Sequence, residues 1–148
     1  MNTKNLFTFF LTMFLGTVAQ ASTGDVVVHI ENLRNINQGE LSIAIYQKVD
    51  RVEMDFSKAL LVKTIAVSQP KLTITFKQLP YGDYAVAILH DLNKDKKMQT
   101  NWIGIPSEDL AVSNNAKGGP MGGPKWVKAK FTLNTPKLVL QPIVMSHM

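Results

Sequence analysis

Apolar residues recur at every second position over most of this chain, and that period decides what it can fold into. In Asp25 to Glu31, Val26, Val28 and Ile30 fall on one side, with Asp25, His29 and Glu31 on the other. Leu41, Ile43 and Ile45 share a side, and Leu72, Ile74 and Phe76 alternate with Thr73, Thr75 and Lys77. Successive residues of a strand point to opposite faces, so this pattern predicts half-buried strands. Tyr84 to His90 is apolar on both faces and predicts a central strand. Trp126 to Leu133 reads as a strand with Val127, Ala129, Phe131 and Leu133 inward; on that register Phe131→Ala costs about 3–5 kcal/mol. Leu138 to Val144 reads as a closing strand, at an edge because of Pro142. A short helical turn within Val49 to Ala59 and a strand within Leu60 to Val67 fill the middle. Turn residues separate the runs: Asn37-Gln38-Gly39, Ser68-Gln69-Pro70, Pro80-Tyr81-Gly82-Asp83 and Asn134-Thr135-Pro136. Six to seven short strands with almost no helix predict an all-β fold, an antiparallel Greek-key β-sandwich with one long loop.

The first 21 residues follow another pattern. Lys4 precedes an apolar run from Leu6 to Leu15, and Ala19-Gln20-Ala21 supplies small residues before a cleavage point. This predicts a signal peptide over 1–21, export to the periplasm or beyond, and one sandwich domain over 22–148. No second apolar run is long enough to span a bilayer, so no transmembrane segment is expected in the mature chain. The chain has no cysteine, so the core must hold without disulfides. A net charge of +5 favours anionic surfaces mildly. With Arg34 and Arg51 as the only arginines, an exported chain of this kind is not expected to bind nucleic acid.

From Asp91 to Lys125 the periodicity stops, and the stretch ends in Gly118-Gly119-Pro120-Met121-Gly122-Gly123-Pro124. A loop this long is usually functional or disordered. Trp102, Ile103, Ile105, Pro106, Leu110 and Val112 predict a packed first half, with Trp102 and Trp126 as lids on the core. Asp91, Asn93 and Asp95 alternate as in the opening of a calcium loop, and with Asn101 they form a candidate metal set. The sixth and twelfth places from Asp91 hold Lys96 and Trp102, where such a loop wants Gly and a bidentate carboxylate. Lys94, Lys96 and Lys97 also outweigh the two Asp. Self-capping, with these side chains bonding nearby backbone N–H groups, is the favoured reading. Any calcium site is then weak, with a Kd of about 10⁻⁴–10⁻³ M, and no other cofactor is expected. Asp91→Ala costs about 0.5–2 kcal/mol on that reading, the value of a capping side chain. His90, Trp102, Glu108 and Asn114 are the candidate ligand contacts. His90 and Asp91 are sequence neighbours on a strand and point to opposite faces, which argues against a His–acid pair. His147 falls in a tail expected to fray.

Four stretches together resemble a known family. They are Leu79-Pro80-x-Gly82-x-Tyr84-Ala85-Val86, His90-Asp91-x-Asn93-x-Asp95-x-Lys97-Met98, Thr100-Asn101-x-x-Gly104-Ile105-Pro106-x-Glu108, and Ser113-Asn114-Asn115-Ala116. The chain resembles the exported bacterial proteins of domain-of-unknown-function family 2141 over roughly Gly39 to Leu140. Small or acidic residues are common in that family where this chain has Lys96 and Gln99. The resemblance implies a prealbumin-like or immunoglobulin-like sandwich in the cell envelope, and no catalytic residue to carry over.

The resulting expectation is a non-enzymatic envelope module that works through its 91–125 loop, with an envelope protein, a glycan or a small molecule as partner. A rival expectation is a hydrolase with its site near His90 and Glu108, and another is a weak calcium-binding module. Some transthyretin-like proteins are hydrolases, but the Tyr-Arg-Gly-Ser ending of that class is absent. A concave pocket beside His90 and Glu108 would favour an enzyme, and a flat surface there would not.

Overall fold

The computed structural model describes residues 22–119 and 122–147; the cleavage expected after Ala21 lies outside the described residues. Two sheets face each other. In the first, β1 (Thr23–Glu31) pairs antiparallel with β4 (Leu72–Pro80). Its other edge takes β8 (Lys137–Val139) and then β9 (Ile143–Val144). In the second, β2 (Glu40–Tyr46) and β5 (Gly82–Asp91) are central, with β3 (Leu61–Ile65) outside β2. β6 (Leu110–Val112) and β7 (Phe131–Leu133) share the far edge of β5. The pairs β1–β4 and β2–β5 skip their sequence neighbours, so the chain crosses repeatedly between sheets in Greek-key fashion.

The expected alternation holds in the long strands. Val26, Val28, Ile30, Leu41, Ile43, Ile45 and Phe76 meet between the sheets, all almost fully buried. Burying each such side chain contributes roughly 1.5–3 kcal/mol. The short helical turn also forms, over Phe56–Lys58, with Asp55 accepting from the Ser57 backbone.

Four expectations are corrected. Among the described residues nine strands form rather than six or seven. The stretch Leu138 to Val144 is not one edge strand, because it breaks around Pro142 into β8 and β9, and both run parallel to β1. Leu110–Val112, assigned to the long loop, is β6. Trp126–Ala129 is one helical turn, α1, not a strand. The Asp50 backbone carbonyl accepts from Trp126 N–H, and Lys130 N–H closes back on the Trp126 carbonyl. The turn leaves Val127 73% exposed, where a strand would have buried it. Phe131 ends half-buried beside the Tyr84 ring, 6.3 Å between centroids. Its truncation therefore costs less than that of a central core residue.

β2 is buried on both faces, like β5. Ala44, Tyr46, Ala85, Ala87 and Leu89 point outward from the second sheet, yet they are covered by Val52, Met54 and Ala129. Three alanines on that face let the 47–59 segment and α1 approach closely. Tyr46 anchors the cover by donating to the Glu53 carbonyl at 2.7 Å and the Asp55 carbonyl at 3.2 Å. Burial, helped by the charges of Asp55 and Glu53, pushes its phenol well above the usual range.

Candidate functional site

The loop after β5 is built on two buried carboxylates. Asp91 is fully buried and accepts from Lys94 N at 2.7 Å and Lys96 N at 2.6 Å. Glu108, 4% exposed, accepts from Leu92 N at 2.9 Å and Gln99 N at 3.0 Å. Four backbone donors of an otherwise irregular segment are thus satisfied by side chains, as buried or half-buried N–H groups require. Lys94 and Lys96 take left-handed backbone angles to make the wrap. Asn93 accepts from Asp95 N, and Asp95 accepts from Lys97 N and from the side chains of Asn93 and Gln99. Asn101 is spent on the next turn, where it accepts from Ile103 N and Ile105 N. Of the four candidate metal residues, Asp91, Asn93 and Asp95 therefore share one loop and Asn101 serves another. Among the described residues no three His, Asp or Glu side chains converge in a metal-holding group.

His90 shares the inner face with Ile88, and its Nε2 lies 2.9 Å from the Gln38 carbonyl. Its Nδ1 is buried without a partner among the described residues. His29 bonds Thr73 on the outside of the first sheet, so the two imidazoles do not meet. Asn114 donates to the Lys128 and Lys130 carbonyls and ties α1 to β6. Trp102 is 94% exposed, with Ile103 and Ile105 about half exposed, so Trp102 is not the lid, nor the isoleucines the packed residues, expected from the sequence. The loop holds itself by polar bonds instead. Trp126, in contrast, is half-buried against the outer cover.

The C-terminal tail is not frayed among the described residues. Ser146 N and O bond Leu110 across a bridge, and His147 Nδ1 meets Asp109 Oδ2 at 2.7 Å. Arg34 reaches the other oxygen of Asp109 at 3.2 Å. Burial would raise the Asp109 carboxyl, but hydrogen bonds from His147 and Arg34, with their charges, win and lower it. A carboxyl lowered on folding stabilises above its unfolded value of about 3.9 and loses that contribution as pH falls through the lowered value. Melting curves of wild type and Asp109→Asn should therefore differ most at neutral pH and converge in strong acid. A gap that persists at the lowest pH would refute the assignment.

These elements leave a cleft of about 1040 Å³ outside the second sheet. Leu110, Ala111 and Val112 lie along β6 at its base, and Met54 lines it from the 47–59 segment. Met98 and the 103–106 turn form another wall, the 115–119 and 122–124 segments a third, and Val144, Ser146 and His147 the last. Neither His90 nor Glu108 lines it. Lys117 Nζ donates to Ser146 Oγ at 2.6 Å within the cleft. A Ser–Lys pair acts as nucleophile and base only when the lysine is taken out of water, and Lys117 is exposed.

A family model described as an uncharacterized protein conserved in bacteria, DUF2141, matches residues 28–140. The chain belongs to this family. No curated protein and no solved structure matches it. The DUF2141 match takes in the two-carboxylate loop and the floor of the cleft, but stops before Val144, Ser146 and His147.

Sequence reasoning missed two residues that organise this DUF2141 site. Ser113 is fully buried; its hydroxyl accepts from Val86 N at 2.9 Å and donates to the Ala129 carbonyl at 2.7 Å. It fills the gap in the β5 ladder between β6 and β7. Asn115 bonds Val144 N and the Pro142 carbonyl, and so fixes the tail against the cleft. The only signal was Ser113-Asn114-Asn115 itself, three residue types that bond backbone outside regular structure. Asn114 and Asn115 take the positive φ that Asn tolerates.

Proposed function

We propose that this chain is an exported envelope module that holds a small molecule with an apolar body in the cleft over β6. The cleft carries the reading. Its size is that of a ligand site, and Met54, Met98, Ile103, Ile105 and Leu110 give it apolar walls. Methionine side chains are flexible and polarizable, and adapt to varied apolar shapes. Lys117, at the polar end, has no carboxylate partner among the described salt bridges and suits an anionic group on the ligand.

A fluorescent long-chain fatty acid is the probe for this reading. It should bind saturably, one per chain. Val144→Trp, which fills the cleft from a half-exposed position, should weaken binding at least about tenfold while the melting temperature holds. Absence of saturable binding, or equal binding by the filled variant, would sink the proposal. Export is checked separately: the intact mass of protein recovered from the periplasm should lack Met1 to Ala21.

A further inference from the structure

We propose that the Asn101–Ile105 turn docks the domain onto an anionic lipid surface, with Trp102, Ile103 and Ile105 entering the interface. The turn displays apolar side chains that the described fold leaves wholly or about half uncovered: Trp102 is 94%, Ile103 55% and Ile105 48% exposed. The display is rigid. Asn101 Oδ1 accepts from Ile103 N and Ile105 N, Asn101 N–H bonds the Ile105 carbonyl, and Gly104 N–H bonds the Asn101 carbonyl. Gln99 and Ser107 close the hairpin below. With the N–H groups of Asn101, Ile103, Gly104 and Ile105 all paired inside it, the turn loses less on leaving bulk water for the hydrated headgroup region.

Charge selects the surface. Lys94, Lys96 and Lys97 are exposed at the base of the same loop. Lys96 and Lys97, with the exposed Asp55 beside them, flank Met54 and Met98, the two methionines that line the cleft with Ile103 and Ile105. Of the loop's acids, Asp91 and Glu108 are buried, and the exposed Asp95 is engaged by Asn93, Lys97 and Gln99. Basic residues beside an anionic leaflet strengthen binding about fivefold each, and Trp is the side chain that settles at the headgroup level. Three side chains of one short turn fall well short of the roughly 800 Å² per partner of a standard protein interface. A bilayer admits such a turn without a matching pocket. The inference rests on the turn and its lysines, whatever the cleft holds.

The test uses the chain from Ser22 onward with Trp126→Phe, so that Trp102 is the single indole. Vesicles of phosphatidylcholine alone are compared with vesicles carrying one quarter phosphatidylglycerol. Flotation with the anionic vesicles is expected, with a blue shift of Trp102 emission and its quenching by brominated lipid. Trp102→Ser should lower partitioning at least about tenfold with an unchanged melting curve and unchanged fatty-acid binding. Replacing Lys94, Lys96 and Lys97 by Gln should bring binding down to the neutral-vesicle level and remove its salt dependence. No partitioning at any phosphatidylglycerol content, or equal partitioning by Trp102→Ser, would overturn the proposal. So would Trp102-dependent retention by a detergent-solubilised envelope protein without binding to lipid.

Discussion

Gly39→Ala is expected to remove about 2–5 kcal/mol of stability, at its upper end close to the whole margin of a marginally stable domain. Gly39 ends the Asn37-Gln38-Gly39 turn at φ +63, and an added Cβ would lie 2.3 Å from the Asp91 carbonyl oxygen and 2.7 Å from Leu92 Cα. Both neighbours are backbone, and Asp91 is held in the β2–β5 ladder opposite Glu40. The left-handed angle alone costs roughly 1–2 kcal/mol for a residue with a Cβ. The overlap forces apart the end of β5 and the start of the loop, at about 1–3 kcal/mol or more. Gly104→Ala isolates the first part, because Gly104 sits at φ +81 with no atom within 4 Å of the new Cβ. Denaturant unfolding of both variants should show Gly39→Ala losing about 1–3 kcal/mol more than Gly104→Ala. Equal losses would mean that the loop does not press on the turn.

Asp91→Ala is the second large effect, expected at about 3 kcal/mol. The sequence reading valued Asp91 as an ordinary capping side chain, at about 0.5–2 kcal/mol. Its carboxylate is instead fully buried and takes two short bonds from Lys94 N and Lys96 N. Hydrogen bonds to a charged group are worth about 1.5–3 kcal/mol each, and orphaned buried donors add desolvation cost. The deletion should also free the 92–99 segment, visible as faster amide exchange at Lys94 and Lys96. Melts run in calcium and in EDTA separate self-capping from a metal site. If the oxygens are spent on backbone, EDTA leaves the wild type unchanged and Asp91→Ala loses the same stability in both. An effect of Asp91→Ala confined to calcium would establish a metal site and refute the capping argument.

Much of the fold was legible because its causes are local. Period two is enforced by strand geometry one residue at a time, so Val26/Val28/Ile30 and Leu72/Ile74/Phe76 announced their inner face directly. The doubly apolar run Tyr84–Leu89 announced a central strand in the same way. Asp91, Asn93 and Asp95 bond donors two to five residues away, and such Asx geometry is written in the spacing itself. The family motifs were legible too, and the family model that matches residues 28–140 shows the membership.

Tertiary structure decided whatever depended on partners far along the chain. Glu108, named from the sequence as a candidate ligand contact, meets Leu92 and Gln99 across the hairpin only in the folded chain. Ser113 acquires its role from Val86 and Ala129, and the tail is held by Leu110, Asp109 and Asn115. Trp126–Ala129 alternates like a strand but lies beside Asp50 and over alanines, where one helical turn packs better. Trp102 and Ile103 have the composition of core residues and stand in solvent, because Asn101 closes their turn with polar bonds and leaves the core out of reach. Hydrophobicity along a sequence says that a side chain gains by leaving water. Only the assembled chain decides whether the protein offers it a place, or leaves that to a partner.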